Sequence, residues 1–234
     1  MNTRKIKIII TGVGPSNPDL ITERALKLIR DSELIIIPRA NINKPGIAEN
    51  IILNYFPDKN KILMPVYFPM TRDFNLRDKI IYEQIIKINA QINSEKNILF
   101  PVIGDSVLYS TGKYLYEIWK KINPDIELEL IPGISAHSLA ASCAKKFLAM
   151  DDEILSIIPG TANHDKILNV INNSDVIAIY KPSAIKNLSE IINIKNFKKI
   201  IRVDHAGFDD EKIFTGSEAL KNIHEYMSVI LLWK

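Results

Sequence analysis

Three short stretches place groups suited to ligand chemistry at the ends of apolar runs. Gly12-Val13-Gly14-Pro15 closes the β-branched run that contains Ile6, Ile8, Ile9 and Ile10. Gly104-Asp105 closes Ile98 to Ile103 and leads into Ser106-Val107-Leu108-Tyr109-Ser110-Thr111. Pro132-Gly133-Ile134-Ser135-Ala136 follows IELELI. A glycine at a strand end lets the backbone approach a ligand with no Cβ in the way, and in open α/β sheets ligands bind at those ends. A carboxylate such as Asp105 at the end of a buried strand is costly unless it is paired or hydrogen-bonded. It could cap its own loop, or, with Tyr109, Ser110 and Thr111, offer hydrogen-bonding groups to a polar ligand. A fourth stretch, Pro69-Met70-Thr71-Arg72-Asp73, carries an arginine able to hold a carboxylate in a forked pair. Together these residues propose a small-molecule site without naming the molecule.

Several chemistries fit poorly. A dinucleotide fingerprint needs a third glycine three residues after Gly14 and immediate entry into a helix. Asn17 stands at that position instead, and Pro15 and Pro18 delay the helix to about Thr22. The acidic ribose partner expected roughly 20 residues on is also missing. No G-K-[ST] follows the glycines, which excludes a P-loop, and there is no G-x-S-x-G elbow. The four histidines, His137, His164, His205 and His224, have no pair at metal-ligand spacing. His137 is expected on a helix face rather than as a base, and Cys143, within ASCAKK, as a small core residue rather than a nucleophile. No catalytic acid, base or nucleophile and no metal site is therefore assigned.

The elements that must position these residues alternate. The first strand is followed by a helix over TERALKLIRDSE capped by Thr22, then by a strand at ELIIIP, a helix within KPGIAENIILNYF and a strand within KILMPVYFPM. A helix with Ile81, Ile85 and Ile88 on one face precedes the strand Ile98 to Ile103, and another helix starts near Thr111. Strand-crossover-strand units of this kind favour parallel pairing. After IELELIPGIS come a small-residue helix, a strand at EILSIIPGT, the helix HDKILNVINN, a strand at DVIAIYKP and a helix over KNLSEIINIKN. KKIIRVDHAGFDDEKIFTG has the alternation and turns of an antiparallel pair, and Met227 to Trp233 closes the chain as a strand. The expected fold is α/β with two lobes, a largely parallel N-terminal sheet and a mixed C-terminal sheet. The charged turn Asn123-Pro124-Asp125 suggests domains 1–123 and 124–234.

With 234 residues, 47% of them hydrophobic, the chain can bury a sizeable core. A net charge of +3, with basic residues scattered, tolerates an acidic ligand and describes no nucleic-acid surface. One cysteine excludes an internal disulfide and fits a reducing compartment. No apolar run approaches the roughly 18 residues of a membrane span. The start, MNTRKIKIII, is too short in its apolar part for a signal peptide. A cytoplasmic protein is expected.

Taken in order, the motifs resemble those of the tetrapyrrole (corrin and porphyrin) methylase family. The family's opening G-x-G-P-G-[DN]-P-x-x-[LI]-T is present as GVGPSNPDLIT, with Ser16 in place of the third glycine. Its G-D-P loop is present as GDSVLYST, with Ser106 in place of proline, and its I-P-G turn as IPGISA, Ile131 to Ala136. The spacing spans nearly the whole chain. The loop Phe68 to Asp73, the LYST after Gly104-Asp105 and the stretch Asp152 to Thr161 are similar to the branch that methylates C-20 of precorrin-2 or cobalt-factor II.

The resemblance implies S-adenosylmethionine (SAM) as methyl donor, held in a cleft between two α/β domains, a tetrapyrrole substrate and a homodimer. Carried over by residue, it implies that Pro15 lines the cleft beside SAM. Ile103, Gly104 and Asp105 would hold the donor's amino-acid end and Leu108 would pack nearby. From the second lobe, Ser135 and Ala136 would contact it, with Tyr180, where the family often has methionine, and Ala206 on the adenine side. Gly14, Arg72, Tyr109, Ser110 and Thr111 would face the tetrapyrrole, and Arg39 and Lys113 could join Arg72 at a rim for its carboxylates. The implied reaction transfers a methyl group to a ring carbon, and alignment in a dry cleft can supply most of the acceleration. That agrees with the lack of a triad. The alternatives are a diphthine synthase, which shares the opening motif, a silent SAM- or tetrapyrrole-binding module, and a nicotinamide oxidoreductase.

Overall fold

A computed structural model describes residues 6–56, 62–71, 73–92 and 97–234. The chain divides into two compact units, Met1–Ile134 and Ser135–Lys234.

The first unit runs β1 (Lys7–Gly12), α1 (Glu23–Asp31), β2 (Leu34–Arg39), α2 (Ile47–Tyr55), β3 (Ile62–Tyr67), α3 (Phe74–Gln91), β4 (Asn97–Val102), α4 (Gly112–Ile122) and β5 (Glu127–Ile131). Its sheet has the order β3-β2-β4-β1-β5, and every pairing is parallel. The isoleucine run of β1 needs no polar alternation because both faces of a parallel sheet are covered. Ile8 and Ile10 point to one face, where they join Phe100, Ile81 and Ile85 of α3, and Leu115 and Trp119 of α4. Ile9 points to the other, with Ala25 and Ile29 of α1 and Ile51 and Ile52 of α2. The two-residue period of a strand thus divides one apolar run between two cores.

The delayed first helix has a local cause. Asn17 Oδ1 accepts from Asp19 N at 2.9 Å, and Pro18–Leu20 forms a 3-10 turn. Thr22 Oγ1 then caps α1 by accepting from Ala25 N at 3.2 Å. The turn at 123–125 precedes β5, which pairs residue for residue with β1 from Lys7↔Glu127 to Thr11↔Ile131. Residues 124–134 therefore sit with the first unit, and the division falls just after the Pro-Gly turn.

The second unit runs α5 (Ala136–Cys143), β6 (Leu155–Pro159), α6 (His164–Asn173), β7 (Val176–Tyr180), α7 (Leu188–Ile191), β8 (Lys199–Asp204), β9 (Lys212–Thr215) and β10 (Ser228–Trp233). Its sheet is mixed, in the order β6-β7-β10-β8-β9: β6 and β7 are parallel and the other pairings antiparallel. The β8–β9 hairpin and the terminal strand match the sequence reading. The helix expected over KNLSEIINIKN is only one turn, followed by a 3-10 turn at Ile194–Asn196. Asn187 starts it in the left-handed region at φ 54°, and Asn193 Oδ1 takes Lys195 N at 3.1 Å. The Asn193 side chain thus competes with the helix for a backbone group.

Candidate functional site

Strand order brings three of the singled-out loops together. β4 and β5 flank β1 on either side, so the carboxyl ends of all three strands are neighbours. At those ends the backbones touch. A Cβ on Gly12 would lie 2.5 Å from Gly104 O and 2.7 Å from Gly133 N. No larger residue fits there without moving a loop. Gly14 and Gly104, at φ 83° and 73°, exchange backbone hydrogen bonds: Gly14 N donates to Gly104 O at 3.2 Å and Gly104 N to Gly14 O at 2.7 Å. Both positions need the left-handed backbone that glycine adopts freely.

Side chains tie the same loops. Asp105 Oδ1 accepts from Val107 N at 3.2 Å, within its own loop, and from Gly133 N at 3.3 Å, across to the Pro-Gly turn. Its Oδ2 makes no hydrogen bond among the described residues, which leaves an acceptor oxygen for a cationic ligand group. Ser106, buried, donates from Oγ to Ile131 O at 2.7 Å. Beside the carboxylate, Ile103, just past the end of buried β4, is 38% exposed, and Val107 is 63% exposed. The loop thus presents apolar surface next to an open acceptor.

Tyr109, in the same loop, has φ 52° and is 46% exposed. A bulky residue in that region is uncommon and costs about 1–3 kcal/mol. Ser110 Oγ accepts from Gly112 N at 3.1 Å at the start of α4, while the N-cap Thr111 makes no side-chain cap bond. Pro15 and Gly14 are buried and Leu108 is half-buried.

Other expected residues fall elsewhere. Arg72 lies outside the described residues. Arg39 is taken up within the first unit: its guanidinium grips Glu49 bidentately, Nε–Oε2 at 2.8 Å and Nη2–Oε1 at 2.6 Å, and donates from Nη1 to Ile42 O at 2.8 Å. That pairing holds the Arg39 pKa above its ordinary value. Lys113 stands exposed, 3.6 Å from Glu117 one turn on.

In the second unit Ser135 is the N-cap of α5, and Tyr180 at the end of β7 reaches that helix terminus. Tyr180 Oη accepts from His137 N at 3.1 Å and lies 2.8 Å from His137 Nδ1. His137 is thus a helix-terminus residue with a phenol partner. Ala136 and Ala206 pack on one apolar cluster with Ala178, Val203 and Val229. Next to Ala206, His205 is clamped by Asp210, Nδ1–Oδ2 at 2.6 Å, and by Glu225, Nε2–Oε2 at 3.2 Å. The hydrogen bond from His205 holds the Asp210 carboxyl below its usual range. The thiol of half-buried Cys143 is pushed up to about 11 by burial, with the Glu211 carboxylate adding to the shift. A thiol so high is protonated at neutral pH and is no nucleophile.

Among the described residues no group of three His, Cys, Asp or Glu side chains could hold a metal ion, and no helix is long and apolar enough to cross a membrane. The residues missed from sequence are Ser106, His137 as the partner of Tyr180, and Gly12 and Gly133 as touching backbones. The local signals were the serine in place of proline and the strand-end position of the two glycines; the contact between those glycine backbones depends on strand order.

Residues 7–220 match the family Tetrapyrrole (Corrin/Porphyrin) Methylases. The chain is 30% identical to a protein of Methanocaldococcus jannaschii named probable cobalt-precorrin-2 C(20)-methyltransferase, over 99% of this chain and 96% of that one. It is 26% identical to the cobalt-precorrin-2 C(20)-methyltransferase of Salmonella typhimurium, over 75% of this chain and 72% of that one. The fold is also that of the uroporphyrin-III C-methyl transferase from Thermus thermophilus complexed with S-adenyl homocysteine. The two superpose with a TM-score of 0.67 at 12% identity, covering 97% of each chain.

Proposed function

We propose that this chain, which belongs to the tetrapyrrole (corrin/porphyrin) methylase family, transfers a methyl group from SAM to C-20 of precorrin-2 or its cobalt form in cobalamin biosynthesis. The observation that carries the reading is the end-to-end likeness to a relative named for that reaction, at 30% identity over 99% of the chain. The loop geometry supports it. Glycine backbones at the ends of β1, β4 and β5 allow close approach, and Asp105 Oδ2 is open to an ammonium group.

To the donor we assign Pro15, Ile103, Gly104, Asp105 and Leu108 of the first unit, and Ser135, Ala136, Tyr180 and Ala206 of the second. To the tetrapyrrole we assign Gly14, Arg72, Tyr109, Ser110 and Thr111. When bound, SAM supplies an electrophilic methyl group on a sulfonium. The carbon–carbon bond would form from the electron-rich ring as the methyl–sulfur bond breaks with its electron pair passing to sulfur, and the ring would then release one proton to solvent, a net gain of CH2. The chain's part is to orient and to exclude water. Asp105 would fix the donor's amino-acid end, and the hydroxyls of Ser110 and Tyr109 would orient the acceptor. Alignment of this kind can contribute several kcal/mol, roughly 7–11 in model systems. No protein base need act on the methyl group, and Cys143, protonated, could not serve as a covalent relay.

We further propose a cytoplasmic homodimer. Phe147, 83% exposed, with Met150 and Ile154, forms an apolar stretch in the second unit that a partner copy would cover. Light scattering after gel filtration tests the dimer. The reaction is tested by incubation with SAM and either metal-free or cobalt-loaded precorrin-2. A product heavier by one CH2 is expected, and no mass gain with either substrate overturns the reading.

A further inference from the structure

We infer that Tyr180 is a positioning residue: its hydroxyl caps the N-terminus of α5 and so leaves the Ser135 hydroxyl available to the methyl donor. The inference rests on the donor assignment proposed above. Ser135 occupies the N-cap position with φ −76° and ψ 149°. From that conformation a serine hydroxyl ordinarily accepts from the second or third helical N–H. Ser135 makes no such bond. The second helical N–H, that of His137, is bound instead by Tyr180 Oη at 3.1 Å.

The phenol oxygen accepts from the backbone of His137 and lies 2.8 Å from His137 Nδ1, a hydrogen bond whose direction follows the imidazole tautomer. The tyrosine arrives from the end of β7, 43 residues along the chain. The residue after it, Lys181, turns away in the left-handed region at φ 52°. The sheet, rather than the helix, therefore fixes where the cap sits. One residue stabilises the helix end and another keeps an uncommitted hydroxyl at the same end.

Two double-substitution cycles test this. In the thermal cycle, Ser135→Ala in the otherwise native chain should shift Tm by less than about 1 °C, because its hydroxyl caps nothing. In the Tyr180→Phe background the same substitution should lower Tm by about a further 3 °C, because the serine has then taken over the cap. In the binding cycle, calorimetric titration with S-adenosylhomocysteine should show Tyr180→Phe and Ser135→Ala each weakening affinity about fivefold, with the double substitution no worse than either. An equal thermal effect of Ser135→Ala in both backgrounds overturns the capping role. A double-variant affinity equal to the product of the two single losses overturns the coupling between Tyr180 and Ser135. A native chain that binds no S-adenosylhomocysteine overturns the donor assignment and the availability argument with it, while the thermal cycle still decides the cap by itself.

Discussion

Ser106 donates a 2.7 Å hydrogen bond from its buried hydroxyl to the carbonyl oxygen of Ile131, joining the loop after β4 to the last residue of β5. One residue earlier, Asp105 reaches the same turn through Gly133 N. Two adjacent side chains thus hold the loop at two points against the Pro-Gly turn.

Ser106→Ala should therefore destabilise the chain by about 0.5–1.5 kcal/mol, since it removes one buried hydrogen bond between the loop and β5. Ser106→Pro should lose the same bond. Urea unfolding of both variants checks this, and a shift in midpoint with an unchanged slope is expected.

Asp105→Asn keeps an oxygen for the N–H groups of Val107 and Gly133 but removes the charge. Stability should stay within about 0.5 kcal/mol of the native chain, while affinity for S-adenosylhomocysteine falls roughly 10- to 100-fold, the range for a lost hydrogen bond to a charged group. Calorimetric titration distinguishes this from Asp105→Ala, which should lose stability as well as affinity.

Cys143 should react slowly with thiol reagents at neutral pH. Its pKa of about 11 leaves roughly one thiolate in ten thousand at pH 7. The labelling rate should rise about tenfold per pH unit toward that value. Cys143→Ala should leave methyl transfer intact, and a large loss of kcat would contradict the protonated, non-catalytic thiol.

Glu129 on β5 is hydrogen-bonded by Lys7 and by Arg24, the latter at 2.7 Å, and these partners hold its carboxyl below the usual range. A depressed folded-state pKa contributes stability that is present above the unfolded value, about 4.3, and is lost as pH falls through the folded value. Stability measured by denaturant titration should fall below about pH 4.5, and Glu129→Gln should flatten that acid limb.

Much of the fold is legible locally. Thr22 as a cap, the face formed by Ile81, Ile85 and Ile88, and the β-branched runs of β1, β2, β4 and β7 each depend on neighbours in sequence, where propensity and periodicity act. The shortened helix at Leu188–Ile191 shows the limit of pattern. Its apolar spacing is helical, but Asn187 and Asn193 draw the backbone into turns.

The sequence by itself determined which residues stand at strand ends, the alternation that makes the sheet parallel, and the motif order shared with the family. Tertiary structure alone decided that β4 and β5 lie on either side of β1, which brings Gly12, Gly104 and Gly133 into backbone contact. It also decided that Arg39 belongs to Glu49 and that a tyrosine from β7 caps α5 in place of the serine beside it. The physical reason is the same in each case. Hydrogen bonds across strands and between distant loops depend on strand order and register, and neither is encoded in any one local window.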